Sequence, residues 1–299
     1  NVKILVFGDI MLDEYWYGVC ERISPEGPVP IINIKNQELR LGGAANVALN
    51  ACSLGAYVTL VGSVGNDEAA KNLNNLLQTA GIHSKIIKKE NVITTKKTRI
   101  VASFQQVARA DRESDPANHY HEDFLPFKGL IAGADIIIIS DYAKGFVHYA
   151  DKIINIANHF GKKVLVDPKR KNYFGYLGAS LITPNFKEFQ SMVGVCTDER
   201  DIEINAHDVI KALRLEGLLL TRGADGMTLF KDSKSYSIPT VAKEVFDVSG
   251  AGDTVIASLA CGLTIGLSYI EAVKFANKCA SIAISKFGTA PITRADLDI

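Results

Sequence analysis

The residues best suited to chemistry lie in the segment Asp247-Val-Ser-Gly-Ala-Gly-Asp253, directly before an apolar helical pattern. The small residues Gly250, Ala251 and Gly252 let the backbone turn tightly, so that their N–H groups form an anion hole at the helix N-terminus. Asp253 lies in the first helical turn, where its carboxylate can accept the proton of a hydroxyl that attacks a phosphoryl group. The alternative is that Asp253 is only a helix cap.

A second group of polar residues precedes another helical pattern, in the segment Leu41-Gly-Gly-Ala-Ala-Asn46. The adjacent Gly42 and Gly43 allow the backbone to approach a ligand closely, and the Asn46 amide can both donate and accept hydrogen bonds. Such groups suit the hydroxyls of a sugar. Taken alone, the same pattern is also typical of a plain junction between a loop and a helix.

A third group, Thr183-Pro-Asn185-Phe-Lys-Glu188, follows a predicted strand. Asn185 and Glu188 are three residues apart and share a face if the segment is helical. An amide and a carboxylate placed there can hold a hydrated Mg²⁺ at the phosphates of a nucleotide. The alternative is a capping box, with Asn185 as N-cap and Glu188 reaching back to it. The two roles do not exclude each other.

The apolar pattern predicts the elements that must position these residues. Unbroken apolar runs such as Asp135–Ser140 and Lys163–Asp167 are typical of parallel strands covered by helices on both faces. They alternate with helical patterns such as Phe186–Val193 and His207–Leu215. This alternation predicts one α/β domain over residues 1–299, with helix layers on both sides of a central, mostly parallel sheet. Ligands of such sheets bind beyond the carboxyl ends of the strands.

Two segments, residues 12–35 and 96–111, interrupt this alternation. They contain the alternating stretches Ile31-Ile-Asn-Ile-Lys35 and Thr98-Arg-Ile-Val-Ala-Ser103 with no helix between the strands. The pattern predicts antiparallel strands that stand off the main sheet as a small β lid over the site. An edge decoration without function is the alternative.

Composition excludes several classes of protein. Lys and Arg together number 33, as do Asp and Glu, so no net charge attracts nucleic acid or an anionic membrane. The 5 cysteines are widely spaced and form no CxxC motif, which indicates a reducing compartment rather than disulfides or zinc. Neither a transmembrane run nor a signal peptide is evident, so we expect a cytoplasmic protein. The sequence also lacks a P-loop motif and a GxGxxG after the first strand.

These motifs, in this order, resemble the ribokinase-like (PfkB-type) sugar kinase family. Its two signatures are similar to Gly42–Asp67 and Asp247–Leu263 here. The resemblance implies a ribokinase-like fold with a β lid and transfer of the γ-phosphoryl group of ATP to a sugar hydroxyl. It implies that Asp253 is the base and that Mg²⁺ lies near Asn185 and Glu188.

The resemblance also assigns residues to the nucleotide. Thr221, Arg222 and Gly223 match the strand end on the nucleotide side, and Asn277 matches a position that lines the adenine pocket. Some members of the family bind a monovalent cation as well. The matching positions here are Asp247, Ser249 and the 287–290 loop.

A narrower resemblance is to the D-glycero-β-D-manno-heptose 7-phosphate kinases. It rests on the opening segments Gly8–Gly18 and Arg22–Pro30, and on Ser140–Gly145 and Val166–Lys169. It implies phosphorylation at the anomeric oxygen, giving the 1,7-bisphosphate used for ADP-heptose and lipopolysaccharide core synthesis. In many bacteria such kinases are fused to an adenylyltransferase domain, of which this sequence has no motif. Arg170 is a departure, because the resemblance leads us to expect a small or neutral residue after Lys169.

The heptose phosphate reading adds candidate substrate contacts. Carboxylates at strand ends can accept hydrogen bonds from sugar hydroxyls, and cations can bind the 7-phosphate through charge-assisted hydrogen bonds. The candidates for the sugar crevice are Asp9, Asp13, Asp141 and Lys144. The candidates for the phosphate are Lys169, Arg109 and Arg112, and the two arginines have the alternative of being solvated surface cations.

Other functions stay open at this point. The same chemistry could act on another sugar, sugar phosphate or nucleoside, and a non-catalytic sugar- or nucleotide-sensing protein could keep the fold. An oxidoreductase is the most distant alternative. The family further leads us to expect a homodimer formed through the lid.

Overall fold

The structure, a computed structural model, describes residues 2–103, 105–241, 245–286 and 288–297. The strands are β1 (Lys3–Gly8), β2 (Ile10–Ile23), β3 (Pro30–Gly43), β4 (Tyr57–Val64), β5 (His83–Lys88), β6 (Lys96–Ala102), β7 (Gln105–Arg112), β8 (Ile136–Ser140), β9 (Lys163–Asp167), β10 (Leu181–Ile182), β11 (Gly217–Thr221), β12 (Met227–Lys231) and β13 (Lys234–Ile238). The helices are α1 (Ala44–Ser53), α2 (Glu68–Thr79), α3 (Lys128–Gly133), α4 (Ala150–His159), α5 (Phe186–Val193), α6 (Glu199–Leu213), α7 (Ala251–Thr264) and α8 (Tyr269–Ala283).

The main sheet has nine strands in the order β13–β12–β11–β10–β9–β8–β1–β4–β5. All pairings from β11 to β5 are parallel. Strand β12 is antiparallel to both of its neighbours and so reverses the chain direction at one edge. The carboxyl ends of the parallel strands therefore open onto the same edge, where ligands of such sheets bind.

The apolar runs produce a core on each face of the sheet. In β8, Ile136 and Ile138 pack into one core, whereas Ile137 and Ile139 pack into the other, because successive side chains of a strand point to opposite faces. Helices α1, α2, α7 and α8 cover the first face, and α3 to α6 cover the second. The expected three-layer α/β arrangement follows from this packing.

Helix α6 differs from its expected bounds. It begins at Glu199, well before the apolar pattern at His207 that predicts a helix. The Asp198 side chain accepts a hydrogen bond from the Asp201 backbone N–H, which caps the earlier start. Its charged first turns bury only Ile202, so apolar periodicity gives little signal there.

Strands β2, β3, β6 and β7 form a second, four-stranded sheet. The β2–β3 and β6–β7 pairs are antiparallel, as expected, but β2 pairs with β6 in parallel. Strand β3 continues to Gly43, so the expected boundary at residue 35 was too early. Every residue of β7 is exposed, and this sheet therefore stands off the main one.

Among the described residues, no helix is both long and apolar enough to cross a lipid bilayer.

Arg170, the residue that departs from the heptose kinase pattern, joins two loops at the carboxyl edge of the main sheet. Arg170, after β9, donates from Nε to the Asp141 carboxylate, after β8, at 2.5 Å. Its other nitrogens donate to the carbonyls of Val147 and His148. The Tyr176 hydroxyl donates to the same carboxylate at 2.8 Å. The positive charge of Arg170 thus pairs with the buried Asp141 carboxylate, and its other hydrogen bonds fix the chain that leads into α4.

We expect Arg170→Met to lower the free energy of unfolding by about 3 kcal/mol, because it leaves a buried carboxylate without its cation. Urea unfolding measures the change. Arg200→Met, on the exposed side of α6, is the matched control and should stay within about 0.5 kcal/mol of the unaltered protein. Equal effects of the two substitutions would contradict a structural role for Arg170.

Candidate active site

Asp253 lies in the first turn of α7 and is only 3% exposed. Its Oδ2 accepts a hydrogen bond from Asn46 Nδ2 at 2.7 Å, and its Oδ1 accepts one from the Tyr142 hydroxyl at 2.6 Å. Asn46 comes from α1 and Tyr142 from the loop after β8. One carboxylate therefore joins three elements that lie far apart in the sequence.

The backbone before Asp253 takes the tight turn expected of its small residues. Gly250 has a φ of 77°, and a Cβ atom there would lie 2.8 Å from Asn46 Nδ2. A larger residue would be strained and would push Asn46 away from Asp253. The Ala251 N–H donates to the Val248 carbonyl at 3.2 Å, so this member of the expected anion hole has a backbone partner. Gly252 lies opposite the Asp167 carboxylate.

Burial raises the pKa of Asp253 to about 6, and the negative charge of Asp13 acts in the same direction. The hydrogen bonds from Tyr142 and Asn46 and the positive charge of Lys97 oppose this rise. Near neutral pH the carboxylate is thus mostly ionised yet basic enough to take a proton. This is the range in which general bases work best.

Asp9 anchors a loop. Its carboxylate accepts hydrogen bonds from the backbone N–H groups of Tyr142, Lys144 and Phe146, at 2.9, 3.0 and 2.9 Å. Burial and the nearby charge of Asp141 raise the pKa of Asp9 to about 6. Most of its acceptor capacity is used within the protein, which leaves little for the sugar hydroxyls expected from sequence.

Asp13 pairs with a residue that the sequence reasoning missed. Its Oδ1 accepts from Arg99 Nη1 on β6 at 2.7 Å. A Cβ atom at Gly42 would lie 2.7 Å from Asp13 Oδ2. Gly42 therefore permits close packing against the Asp13 carboxylate, and Gly43 against the Asp9 backbone carbonyl and Met11, whereas the sequence had suggested close approach to a ligand.

The cations Lys97, Lys144 and Arg109 lie close enough for the charges of the last two to act on Lys97. Lys144 Nζ pairs with Glu113 at 2.6 Å, and Arg109 Nε pairs with Asp111 at 2.9 Å on the exposed strand β7. Lys97 Nζ lies 5.5 Å from the centre of the Tyr142 ring. No ion pair joins Lys97 to a carboxylate within the described ranges. Burial lowers its pKa, and the charges of Asp13 and Asp111 oppose that change.

The two roles predicted for the Asn185–Glu188 segment, a Mg²⁺ site and a capping box, can be compared directly. Asn185 caps α5, its Oδ1 accepting from the Glu188 N–H at 2.9 Å, while Glu188 Oε2 accepts from the Asn185 N–H at 3.0 Å. The capping box is therefore present. Glu188 Oε1 also accepts from Lys169 Nζ at 2.6 Å. This contact places the Lys169 ammonium group beside the predicted Mg²⁺ residues.

A further carboxylate, Asp167, lies at the carboxyl end of β9. Its pKa is raised well above the usual range by burial and by the negative charges of Asp253 and Glu188. Asp167 therefore lies between the predicted base and the predicted Mg²⁺ residues, a position that the sequence reasoning did not assign.

The residues expected at the nucleotide lie further along the same edge. Thr221 ends β11 and pairs with Asn185 in an isolated parallel bridge. Arg222 donates two hydrogen bonds to Glu199, and Gly223 follows with a φ of 58°. Asn277, on α8, donates from Nδ2 to the Pro239 carbonyl at 2.8 Å. Asn277 thus contacts the chain after β13 and not the other three.

The residues expected near a monovalent cation lie together. Asp247 accepts from the Ser249 N–H at 2.8 Å and from the Gly288 N–H at 3.1 Å. The carboxylate thereby ties the segment before α7 to residues 288–290. Phe287, which belongs to the same expectation, lies outside the described residues.

Sequence reasoning missed four residues at the site, and only some carried a signal. Tyr142 lies inside the Ser140–Gly145 segment, between two residues that were selected. Asp167 directly precedes Pro168 and Lys169 at a strand end, the position that favours ligand groups. Lys97 and Arg99 lie on either side of Thr98 in the polar first half of β6, as in any partly exposed strand. Nothing local distinguishes them.

Known proteins are similar to this chain in sequence and in fold. Residues 1–295 match the family described as pfkB family carbohydrate kinase. The "Bifunctional protein HldE" of Nitrosococcus oceani is 42% identical over 99% of this chain, and that of Methylococcus capsulatus is 44% identical over 99%. The chain spans 63% of the length of each.

Solved structures share the fold at low sequence identity. A putative ribokinase from Agrobacterium tumefaciens superposes with a TM-score of 0.84 at 18% identity, covering 100% of this chain and 96% of that one. Phosphofructokinase-2 from Escherichia coli, solved with potassium, gives 0.83 at 18% identity, covering 100% and 97%. Arabidopsis thaliana ribokinase, solved with ribose and ATP, gives 0.80 at 20% identity, covering 99% and 97%.

The ribokinase-like fold and the family match define a sugar kinase, and membership of such a family implies ATP as the phosphoryl donor. The chain belongs to the pfkB family of carbohydrate kinases. The family and the fold expected from the motifs are therefore confirmed.

The pKa of about 6 for Asp253 has a consequence for stability. Because it exceeds the value of about 3.9 usual in unfolded chains, ionised Asp253 destabilises the folded state above about pH 6. We expect the stability of Asp253→Asn relative to the natural protein to rise by about 2–3 kcal/mol between about pH 4 and pH 8, because only the natural carboxyl titrates. The gain should shrink between about pH 6 and about pH 4, as the natural carboxyl becomes protonated first in the folded and then in the unfolded state.

Urea unfolding across this pH range measures the difference between the two proteins. A difference in stability that stays constant between about pH 4 and pH 8 would contradict the raised pKa.

Proposed function

We propose that this kinase transfers the γ-phosphoryl group of ATP to the anomeric (C1) hydroxyl of D-glycero-β-D-manno-heptose 7-phosphate. The product would be the 1,7-bisphosphate used for ADP-heptose and lipopolysaccharide core synthesis. The observation that carries the proposal is the buried Asp253 carboxylate, held at a helix N-terminus with its pKa near 6. The heptose kinase motifs and the similarity to HldE proteins support the choice of sugar.

In this proposal Asp253 takes the proton of the sugar hydroxyl as its oxygen attacks the γ-phosphorus. Asn46 orients the carboxylate from one side. The N-terminus of α7, with the N–H groups of Gly250 and Gly252, would face the negative charge on the transferred phosphoryl group. Closure of the second sheet over this point would exclude water, which would otherwise compete with the sugar for the phosphoryl group.

The nucleotide side would use the strand-end residues beyond Asp253. Thr221, Arg222 and Gly223 would line the phosphates and ribose of ATP, and Asn277 the adenine pocket. The donor set fits a hydrated Mg²⁺, because Glu188 and the raised-pKa Asp167 place two carboxylates where a divalent cation would relieve their repulsion. When bound, Mg²⁺ would neutralise phosphate charge. A monovalent cation, a homodimer and a cytoplasmic location remain predictions.

The sugar phosphate would bind on the other side of Asp253. Lys169 is committed to Glu188, whereas Lys97 is partly buried without an ion-pair partner in the described part of the chain. Lys97 lies over the Tyr142 ring, whose hydroxyl contacts the base. A phosphate dianion there would offset the burial of the ammonium group. We therefore place the phosphate against Lys97. Lys144 and Arg109 lie near Lys97 but are paired with Glu113 and Asp111.

The test of catalysis is ATP-dependent turnover on a panel of sugars and sugar phosphates. We expect Asp253→Asn to fold and bind ATP but to lose about 10²–10⁴-fold in kcat, which is what a general base contributes. Coupled ADP release measures turnover, and a thermal shift with ATP verifies binding. Near-normal turnover of the variant would refute the role of Asp253, and a sensor would show no turnover with any sugar.

The test of substrate choice compares heptose 7-phosphate with unphosphorylated heptose near pH 8, where Asp253 is ionised. Binding energy from the remote phosphate can orient the reacting centre, so the phosphorylated sugar should have the higher kcat/KM. Lys97→Met should narrow the ratio of kcat/KM for the phosphorylated sugar to kcat/KM for the unphosphorylated sugar by about 10-fold or more. The reason is that a charge-assisted hydrogen bond contributes about 1.5–3 kcal/mol.

Lys169→Met is the matched control and should lower kcat/KM for both sugars to a similar extent. If Lys169→Met narrowed the ratio and Lys97→Met did not, the phosphate would lie at Lys169, as the sequence first suggested. Equal kcat/KM for the two sugars with the natural protein would refute the heptose phosphate assignment.

A further inference from the structure

Tyr142 is held at the predicted base by three separate contacts. Its hydroxyl donates to Asp253 Oδ1 at 2.6 Å. Its backbone N–H donates to the buried Asp9 carboxylate at 2.9 Å. The Lys97 ammonium lies 5.5 Å from the centre of its ring. The side chain therefore has little freedom to leave Asp253.

The hydroxyl of Tyr142 acts on the base as a permanent donor. Burial and the negative charge of Asp253 raise the pKa of Tyr142 well above its usual value, so the phenol stays protonated. A carboxylate has about four acceptor positions, and Asn46 and Tyr142 occupy one on each oxygen. The remaining positions are left for a substrate hydroxyl. A hydrogen bond to the charged form also favours that form.

We propose that Tyr142 is a positioning residue for phosphoryl transfer, which fixes the rotation of the Asp253 carboxylate and keeps it ionised near neutral pH. This inference rests on the proposed function of Asp253 as the base. The sequence motifs assigned no role to Tyr142. The Asp9 carboxylate also contributes to its position, because it accepts a hydrogen bond from the Tyr142 backbone N–H.

Other charged groups also face Asp253 and set the background for any pH effect. Asp13 on β2 and Asp167 at the end of β9 are negative and disfavour its ionised form, whereas Lys97 on β6 favours it. Asn46 on α1 is a neutral donor. Tyr142→Phe changes none of these groups. It removes one hydroxyl and retains the ring beneath Lys97.

The experiment follows the ¹³C carboxyl resonance of Asp253 in protein labelled at aspartate, with Asp253→Asn identifying the signal. We expect the titration midpoint, near the pKa of about 6 in the natural protein, to rise by about one pH unit in Tyr142→Phe. Tyr149→Phe is the matched control, since that hydroxyl lies beside Glu122, and it should leave the midpoint unchanged. An unchanged or lower midpoint in Tyr142→Phe would overturn the proposal.

A second substitution covers the case in which Tyr142→Phe does not fold. Incorporation of 3-fluorotyrosine at position 142 keeps the shape and makes the phenol a stronger donor, so the midpoint should fall. A rise, or no change, would count against the proposal in the same way.

Kinetics supply a readout that a merely structural role would not move. The acid limb of kcat/KM should shift upward with the midpoint, so that Tyr142→Phe loses about 5-fold near pH 6 and recovers most of its activity near pH 8.5. An equal loss at every pH would show a structural role only. If the natural protein phosphorylates no sugar, the proposed function fails, yet the ¹³C titration still decides whether Tyr142 controls Asp253.

Discussion

The burial of one carboxylate, that of Asp253, is the constraint to which the rest of the site is fitted. Removing a carboxylate from water raises its pKa, here to about 6, and without partners it would be neutral and useless as a base. Asn46 and Tyr142 supply donors that keep the pKa from rising further. Each donor must arrive from a different part of the chain, which explains why α1, α7 and the loop after β8 meet at one point.

The other buried acids of the carboxyl edge are satisfied in the same way, but by the protein itself. Asp9 receives three backbone N–H groups, and Asp141 receives Arg170 and Tyr176. These contacts fix loops at the carboxyl edge and leave fewer acceptor positions for a ligand. A sheet edge rich in acids is therefore divided between groups that make the site rigid and groups, such as Asp253, that keep free acceptor positions.

Local patterns predicted the parts of this structure that depend on local physics. Helix α5 has the predicted bounds Phe186–Val193, because a capping box and apolar spacing fix it within a few residues. The partners of the buried acids could not be predicted. The Tyr142–Asp253 bond joins residues 111 positions apart, and the Asp13–Arg99 bond joins residues 86 apart. Which donor reaches which carboxylate depends on the pairing of β2 with β6 and on the loop geometry, neither of which leaves a periodic trace.

The capping box at Asn185 and Glu188 shows how one pair can serve structure and ligand at once. The box uses Asn185 Oδ1 and Glu188 Oε2, while Glu188 Oε1 holds Lys169. If Mg²⁺ binds here as proposed, it competes with the Lys169 ammonium group for Glu188. Both cations would be paired with an anion if Lys169 contacted a nucleotide phosphate while Glu188 held Mg²⁺. Under this proposal Lys169 fits the nucleotide side on electrostatic grounds, and Lys97 is the cation proposed for the sugar phosphate.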